Sequence, residues 1–239
     1  MSKDLLHVAI VGLGNTQGSF TSAVANGKHF DEIWAINSMM VPIKHDIVFM
    51  MDPASRFLDK ENAGLQTEAM RKELSNHPGP IYTCELDKRV PGAVLYPLKE
   101  VVEHTGLCYF NNTVPYAIAF AIYAKVTHLY LYGIDYSYSS NIHMAEAGRA
   151  CTEFWLSTAI SRGLKIEVAQ GSTLLDTNVP DEEKLYGYHR LKDPLVLSSE
   201  KGSLSVAKKS KVALPEPLDS PVLYGRHDSI VSLKEASNV

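Results

Sequence analysis

Residues 127–139, THLYLYGIDYSYS, end an apolar run in Gly133. Asp135 follows, then Tyr136, Ser137, Tyr138 and Ser139, and His143 comes within one loop. An acid, phenols, hydroxyls and an imidazole on one loop can move a proton and hold an anion. His143 is the best acid–base candidate, because an imidazole titrates near neutrality and can take a proton from a hydroxyl nucleophile. Tyr136 and Tyr138 would donate phenolic O–H bonds to phosphate oxygens, which stabilises a departing phosphate without a metal. Asp135 would position a sugar or steady the loop. His7, His45, His104 and His128 read as strand-end or surface residues, and no two histidines have metal-ligand spacing on a helix.

A second cluster lies in residues 12–18, GLGNTQG. Gly12 and Gly14 fit the G-x-G of a dinucleotide fingerprint, and Gly18 comes one place later than the third glycine should. Glycine lets a backbone approach a phosphate, and a helix N-terminus offers free N–H donors. The second strand ends in Asn37, not in the acid that clamps an adenosine ribose, which weighs against an NAD dehydrogenase. Asn15, Asn37 and Asn112 each follow a strand or open a helix. Their amides both donate and accept, so they suit base edges, ribose hydroxyls and sugars. There is no G-x-x-x-x-G-K-[ST] loop, no G-x-S-x-G elbow and no Asp-x-Asp pair.

The elements that would position these residues alternate. Strands are expected at 7–11, 32–36, 46–51, 81–84, 93–96, 127–132 and 165–169. Helices are expected from about Ser19, within 54–76, over 113–124 with Thr113 as cap and Pro115 in the first turn, and over 145–162 with Gly163 just past its end. The reading is α/β: a single Rossmann-like domain, mostly parallel sheet with flanking helices, over residues 1–189. Strand-end loops would then share a single edge, which is where open α/β sheets bind ligands. From 190 to 239 lysine, serine and proline dominate, which reads as an extended or partly disordered tail.

Composition narrows the function. The chain has 239 residues and a formal net charge of −4, so broad electrostatic binding of nucleic acid is not indicated. Its three cysteines, Cys84, Cys108 and Cys151, are spaced for neither zinc nor a disulfide framework and read as small buried hydrophobes. No apolar run is long enough for a membrane span and no signal peptide is visible, so a cytoplasmic location is expected.

The chain resembles the bacterial sialyltransferase-like superfamily, which holds CMP-sialic acid transferases, motility-accessory proteins and 6-hydroxymethylpterin diphosphokinases. The resemblance runs from about His7 to Asp176. It rests on Gly14-Asn15-Thr16 in the first loop, Ala35-Ile36-Asn37-Ser38 and Met51-Asp52-Pro53 at strand ends, and Asn112-Thr113-Val114-Pro115 entering a helix. Most specifically, it rests on Leu129-Tyr130-Leu131-Tyr132-Gly133-Ile134-Asp135-Tyr136. The Gly-Pro pair of the family's first loop is absent, and the segment between the tyrosines and the next helix is shorter.

That resemblance implies roles. Gly12, Gly14, Asn15 and Thr16 would line the donor nucleotide. Asn37 and Ser38 would meet its base or ribose, and Asn112 and Thr113 its ribose or sugar. Asp52, an Asn in the transferases, would alter donor choice. Gly133 and Asp135 would belong to the donor site, Tyr136 and Tyr138 would steady the leaving phosphate, and His143 would deprotonate the acceptor. The implied activity is metal-independent, inverting transfer from a nucleotide-sugar substrate, possible as a CMP-linked one, to an unidentified acceptor, with no tightly bound cofactor. Related enzymes often assemble, which leaves a homo-oligomer open. Two alternatives stand beside it: a pterin-type diphosphokinase using ATP and Mg²⁺ through Asp52 and Asp135, and a non-catalytic nucleotide-binding or interaction protein.

Overall fold

The computed structural model describes residues 5–59, 67–137, 141–181, 183–186, 195–200 and 203–211. It divides into two compact units, Met1–Pro180 and Asp181–Val239.

The first unit is built on seven strands: β1 (His7–Val11), β2 (Glu32–Ile36), β3 (Ile47–Phe49), β4 (Ile81–Thr83), β5 (Ala93–Leu95), β6 (His128–Tyr132) and β7 (Lys165–Val168). Every neighbouring pair is parallel, in the order β5-β4-β3-β2-β1-β6-β7. The chain steps outward from β1 to β5, then returns to place β6 on the other side of β1. Strand order therefore reverses between β1 and β6, and a crevice opens outside the carboxyl ends of strands at such a reversal.

Among the described residues, six α-helices accompany the strands: α1 (Gly18–Ala25), α2 (Ser55–Leu58), α3 (Thr67–Asn76), α4 (Leu98–Thr105), α5 (Thr113–Tyr123) and α6 (Ile142–Ser161). Strand side chains alternate between faces. Val8, Ile10, Trp34, Ile36 and Phe49 join α5 and α6 in one buried cluster. Ala9, Val11, Ala35 and Val48 join Phe20, Phe30, Met70 and Leu74 in the other. Both sheet faces are thus covered, which is why β1 reads as one apolar run without polar alternation.

The α/β class and the strand sequence agree with the expectation, with small differences at ends. The third strand stops at Phe49, and residues 54–76 hold α2 and α3 as separate helices. Helix α6 starts at Ile142, three residues earlier than expected, because Asn141 caps it by accepting from the Met144 N–H at 3.1 Å. Asn112, not Thr113, caps α5, accepting from the Val114 N–H at 3.1 Å. Cys151 is buried as expected, whereas Cys84 and Cys108 are exposed.

In the second unit, β8 (Leu195–Glu200) and β9 (Ser203–Lys208) form an antiparallel hairpin. Both strands lie in the segment expected to be an extended or partly disordered tail. Residues 195–200 and 203–208 of that segment pair as strands, from Leu195 with Lys208 to Glu200 with Ser203.

Candidate functional site

A cleft of about 700 Å³ opens where strand order reverses. Its floor comes from the ends of β1 (Gly12, Leu13, Gly14), β2 (Ile36, Asn37), β3 (Met51, Asp52) and β6 (Gly133 to Tyr136). One wall is the entrance to α5, residues 110–114 and Tyr116; the other is the start of α6, with Met144, Ala147 and Gly148. Arg56 of α2 completes it.

The two central loops are held together tightly. The Gly12 N–H donates to the Tyr132 carbonyl at 2.8 Å, and the Gly14 N–H to the Gly133 carbonyl at 2.7 Å. A Cβ on Gly12 would lie 2.6 Å from the Gly133 oxygen, and one on Gly133 would lie 2.2 Å from the Gly12 oxygen. Gly133 also has φ +62°, a left-handed backbone that glycine accepts without cost. A Cβ on Gly14 would meet the Asp135 carboxylate at 2.6 Å. Gly12, Gly14 and Gly133 serve the close approach of one loop to the other, whereas a Cβ on Gly18 would meet nothing.

Asp135 is buried. Its carboxylate accepts from the Thr16 N–H at 2.7 Å and the Thr16 hydroxyl at 3.0 Å, and Thr16 Oγ1 in turn accepts from the Gly133 N–H at 3.0 Å. Of the two roles considered for Asp135, steadying the loop is the one these bonds perform. The loop after β7 adds a second clasp: the Thr173 hydroxyl accepts from the Tyr136 N–H at 3.1 Å, and Ser172 donates to the Ile134 carbonyl at 2.8 Å. Arg149 ties the same loop to α6, pairing with Glu153 at 2.8 Å and Asp176 at 2.7 Å.

A chain of amides and hydroxyls crosses the cleft. Asn111 donates to the Ala147 carbonyl at 2.7 Å, and Asn112 donates to Asn111 Oδ1 at 2.7 Å. The Tyr136 hydroxyl donates to Asn112 Oδ1 at 3.1 Å and accepts from the Thr152 hydroxyl at 2.6 Å. Thr113 donates to Asn37 Oδ1 at 3.4 Å, and Asn37 has φ +51°. Gly148 leaves room for the Tyr136 ring, since a Cβ there would come within 2.6 Å of it. An aromatic stack backs this wall: Phe110 lies parallel to Tyr116 at 4.3 Å and to Trp155 at 4.9 Å. Burial raises the Tyr116 phenol above its ordinary value, so it stays a neutral donor.

Of the sequence-predicted residues, the cleft gathers Gly12, Gly14, Asn37, Asp52, Asn112, Thr113, Gly133, Asp135 and Tyr136. Asn15 lines a separate, shallower depression with Lys28, Tyr132 and Glu167. Thr16 and Ser38 do not line the cleft, and Tyr138 lies outside the described residues. His143 was expected on a loop and stands instead in the first turn of α6, exposed and outside the lining. It stands four residues, about one helical turn, before Ala147, a lining residue of the cleft.

The residues missed by sequence reasoning are Arg56, Phe110, Asn111, Tyr116 and Met144. Only Arg56 left a signal, standing four places after Asp52, where a short helix would pair them. Among the described residues, no three His, Cys, Asp or Glu side chains form a metal-binding group, and no helix is long and apolar enough to cross a membrane.

No protein-family model matches the chain, and no curated protein matches it by sequence. Among solved structures, it is similar to the sialyltransferase CstII from Campylobacter jejuni, in complex with a substrate analogue, CMP-3FNeuAc. The match covers 94% of this chain and 99% of that one, at 15% identity and a TM-score of 0.46. The likeness is distant, and the α/β architecture rests on the strand order itself.

Proposed function

We propose that this protein is a metal-independent glycosyltransferase acting on a nucleotide-activated sugar. The observation that carries the reading is the cleft at the β1/β6 reversal, lined by Asn37, Asn111, Asn112 and Thr113 and backed by the Phe110–Tyr116 stack. Amides that both donate and accept suit a ribose or a sugar, and a clefted aromatic wall suits a flat base. The motif resemblance through Gly133, Asp135 and Tyr136 supports the same reading and favours a CMP-linked donor.

In this mechanism the acceptor hydroxyl enters at the mouth and attacks the anomeric carbon with inversion. His143 takes its proton. The nucleotide leaves toward Tyr136, whose hydroxyl turns from Asn112 Oδ1 to the departing phosphate oxygen. Asn15, Thr16, Ser38 and Tyr138 belong to the proposed donor site through the resemblance alone. Thr16 acts from behind, through Asp135.

The test is turnover and binding measured on one preparation, with CMP, UDP, GDP, ADP and ATP, and their sugar conjugates, each with and without Mg²⁺. We expect a sugar-carrier nucleotide to raise the melting temperature without metal. We expect His143→Ala to lower turnover by about 10²–10⁴-fold, the usual contribution of a general base, with binding kept. Stabilisation by ATP with Mg²⁺ alone would replace this reading with the diphosphokinase one, and no response to any nucleotide would sink both.

A further inference from the structure

Asp52 and Arg56 face each other within the cleft. Arg56 gives one N–H of its guanidinium to Asp52 Oδ1 at 2.7 Å, and the two side chains remain 49% and 37% exposed. The geometry points to Arg56 as a phosphate-binding residue of this cleft in addition to Tyr136, held ready and restrained by Asp52. This deepens the nucleotide-sugar reading and rests on it for the identity of the phosphate.

Three observations carry the inference. First, Arg56 is the single cation among the described lining residues of the cleft, which otherwise present two carboxylates, Asp52 and Asp135. Asp135 is buried and its carboxylate accepts two hydrogen bonds from Thr16, which leaves the Asp52–Arg56 pair as the exposed charged groups that a ligand meets. Second, a guanidinium has five N–H donors in a planar fork, and the contact with Asp52 uses one of them. The rest of the fork is available to a phosphate, which Arg binds through two parallel bonds. Third, the pair is exposed, and exposed ion pairs contribute little to stability. A phosphate offering a bidentate contact and a second negative charge can therefore displace Asp52, whereas a neutral nucleoside or a monoanion with one weak contact gains nothing.

The backbone supports that geometry. Asp52 comes three residues after β3, so it is fixed at the carboxyl edge of the sheet. The Arg56 N–H donates to the Pro53 carbonyl at 3.0 Å, which turns the chain into α2 and returns Arg56 over Asp52. Asp52 is thus an internal competitor. It keeps the guanidinium aimed into the cleft when empty, and it sets the minimum charge that a ligand must bring. On this account the cleft selects phosphorylated ligands over their dephosphorylated forms.

The experiment is titration of the full chain with inorganic pyrophosphate, inorganic phosphate and acetate, followed by calorimetry or amide chemical shifts at fixed ionic strength. Wild type, Arg56→Gln, Arg56→Lys and Asp52→Asn are compared, each checked for folding by circular dichroism. Pyrophosphate should bind wild type, bind Asp52→Asn several-fold more tightly, and bind Arg56→Gln at least tenfold more weakly. Arg56→Lys should fall between, since it keeps the charge and loses the fork. Acetate should show no dependence on residue 56. Pyrophosphate affinity that is equal in wild type and Arg56→Gln, or undetectable in all four proteins, overturns the inference, as does weaker binding by Asp52→Asn. Failure of the transferase reading is seen separately: residue-56-dependent pyrophosphate binding with no added affinity for any nucleotide would keep the phosphate site and remove the nucleotide-sugar.

Discussion

Gly12 and Gly133 occupy positions where a methyl group on either would enter the other's carbonyl oxygen. Replacing Gly133 by alanine meets two penalties, a left-handed backbone and a clash with backbone that cannot rotate away. We expect Gly133→Ala to lower stability by roughly 2–5 kcal/mol, read from denaturant unfolding; a change within a few tenths would mean that the loops are not packed as described. Gly18→Ala is the control, because its Cβ meets nothing. The site was half legible at this scale. The strand-end loops named from the sequence meet at one cleft, since Gly, Asn, Asp and Tyr at strand ends carry their own signal. Their roles were not legible, because the partners are distant in sequence. Thr16 and Asp135 are separated by 119 positions, and no local pattern announces that a carboxylate will be used to hold a neighbouring loop. Arg56, Phe110 and Tyr116 were missed for the same reason: a residue enters a cleft only once another element has placed the opposite wall.

At the scale of elements, periodicity and end signals were informative. The apolar runs of β1, β2 and β6 and the continuous apolar α5 all exist, because burial on both faces requires them. The β8–β9 hairpin was not recognised, since its strands mix four serines among their aliphatic residues. One contact between elements makes a further prediction. His77, buried at the end of α3, accepts the Gly79 N–H on Nδ1 at 2.9 Å. Its Nε2 therefore carries the proton and donates to His45 Nε2 at 2.7 Å, and His45 Nδ1 donates to the Ile43 carbonyl at 2.8 Å. The His77 ring is neutral in this chain of bonds, and a proton added to its Nδ1 breaks the bond from Gly79. Burial, and then the neighbouring His45, push the His77 value below its ordinary 6.5, while Glu73 acts in the other direction. The unfolded chain then binds more protons just below pH 6.5, so this contribution is fully present above that pH and is lost as pH falls through the lowered folded value. We expect the melting temperature to fall more steeply between pH 7 and pH 5 in wild type than in His77→Phe. That variant should also be less stable at pH 7 by about 1–3 kcal/mol, from the unmet Gly79 and His45 groups. Parallel pH profiles would remove the pair as a source of acid sensitivity.

For the whole molecule, what matters is where the core ends. Both buried clusters are built from residues between Val8 and Leu174, and the cleft is lined by residues between Gly12 and Gly148. The strand reversal that opens the cleft is also complete by β7, so the Met1–Pro180 unit contains every described element of sheet, core and cleft wall. A chain stopped after Pro180 should then fold in one cooperative transition. Its melting temperature should stay within about 4 °C of the full chain, the shift expected of about 1 kcal/mol at this length. It should also retain Arg56-dependent pyrophosphate binding, because Asp52, Arg56 and α5 are all inside the unit. Differential scanning calorimetry and the same titration read both quantities on one sample. A broad transition, or a drop well beyond that range, would show that the Asp181–Val239 unit contributes to the stability of the first. An intact transition with lost binding would show instead that the second unit completes the site. Either result would move the functional boundary beyond Pro180, although the hydrophobic core alone places it there.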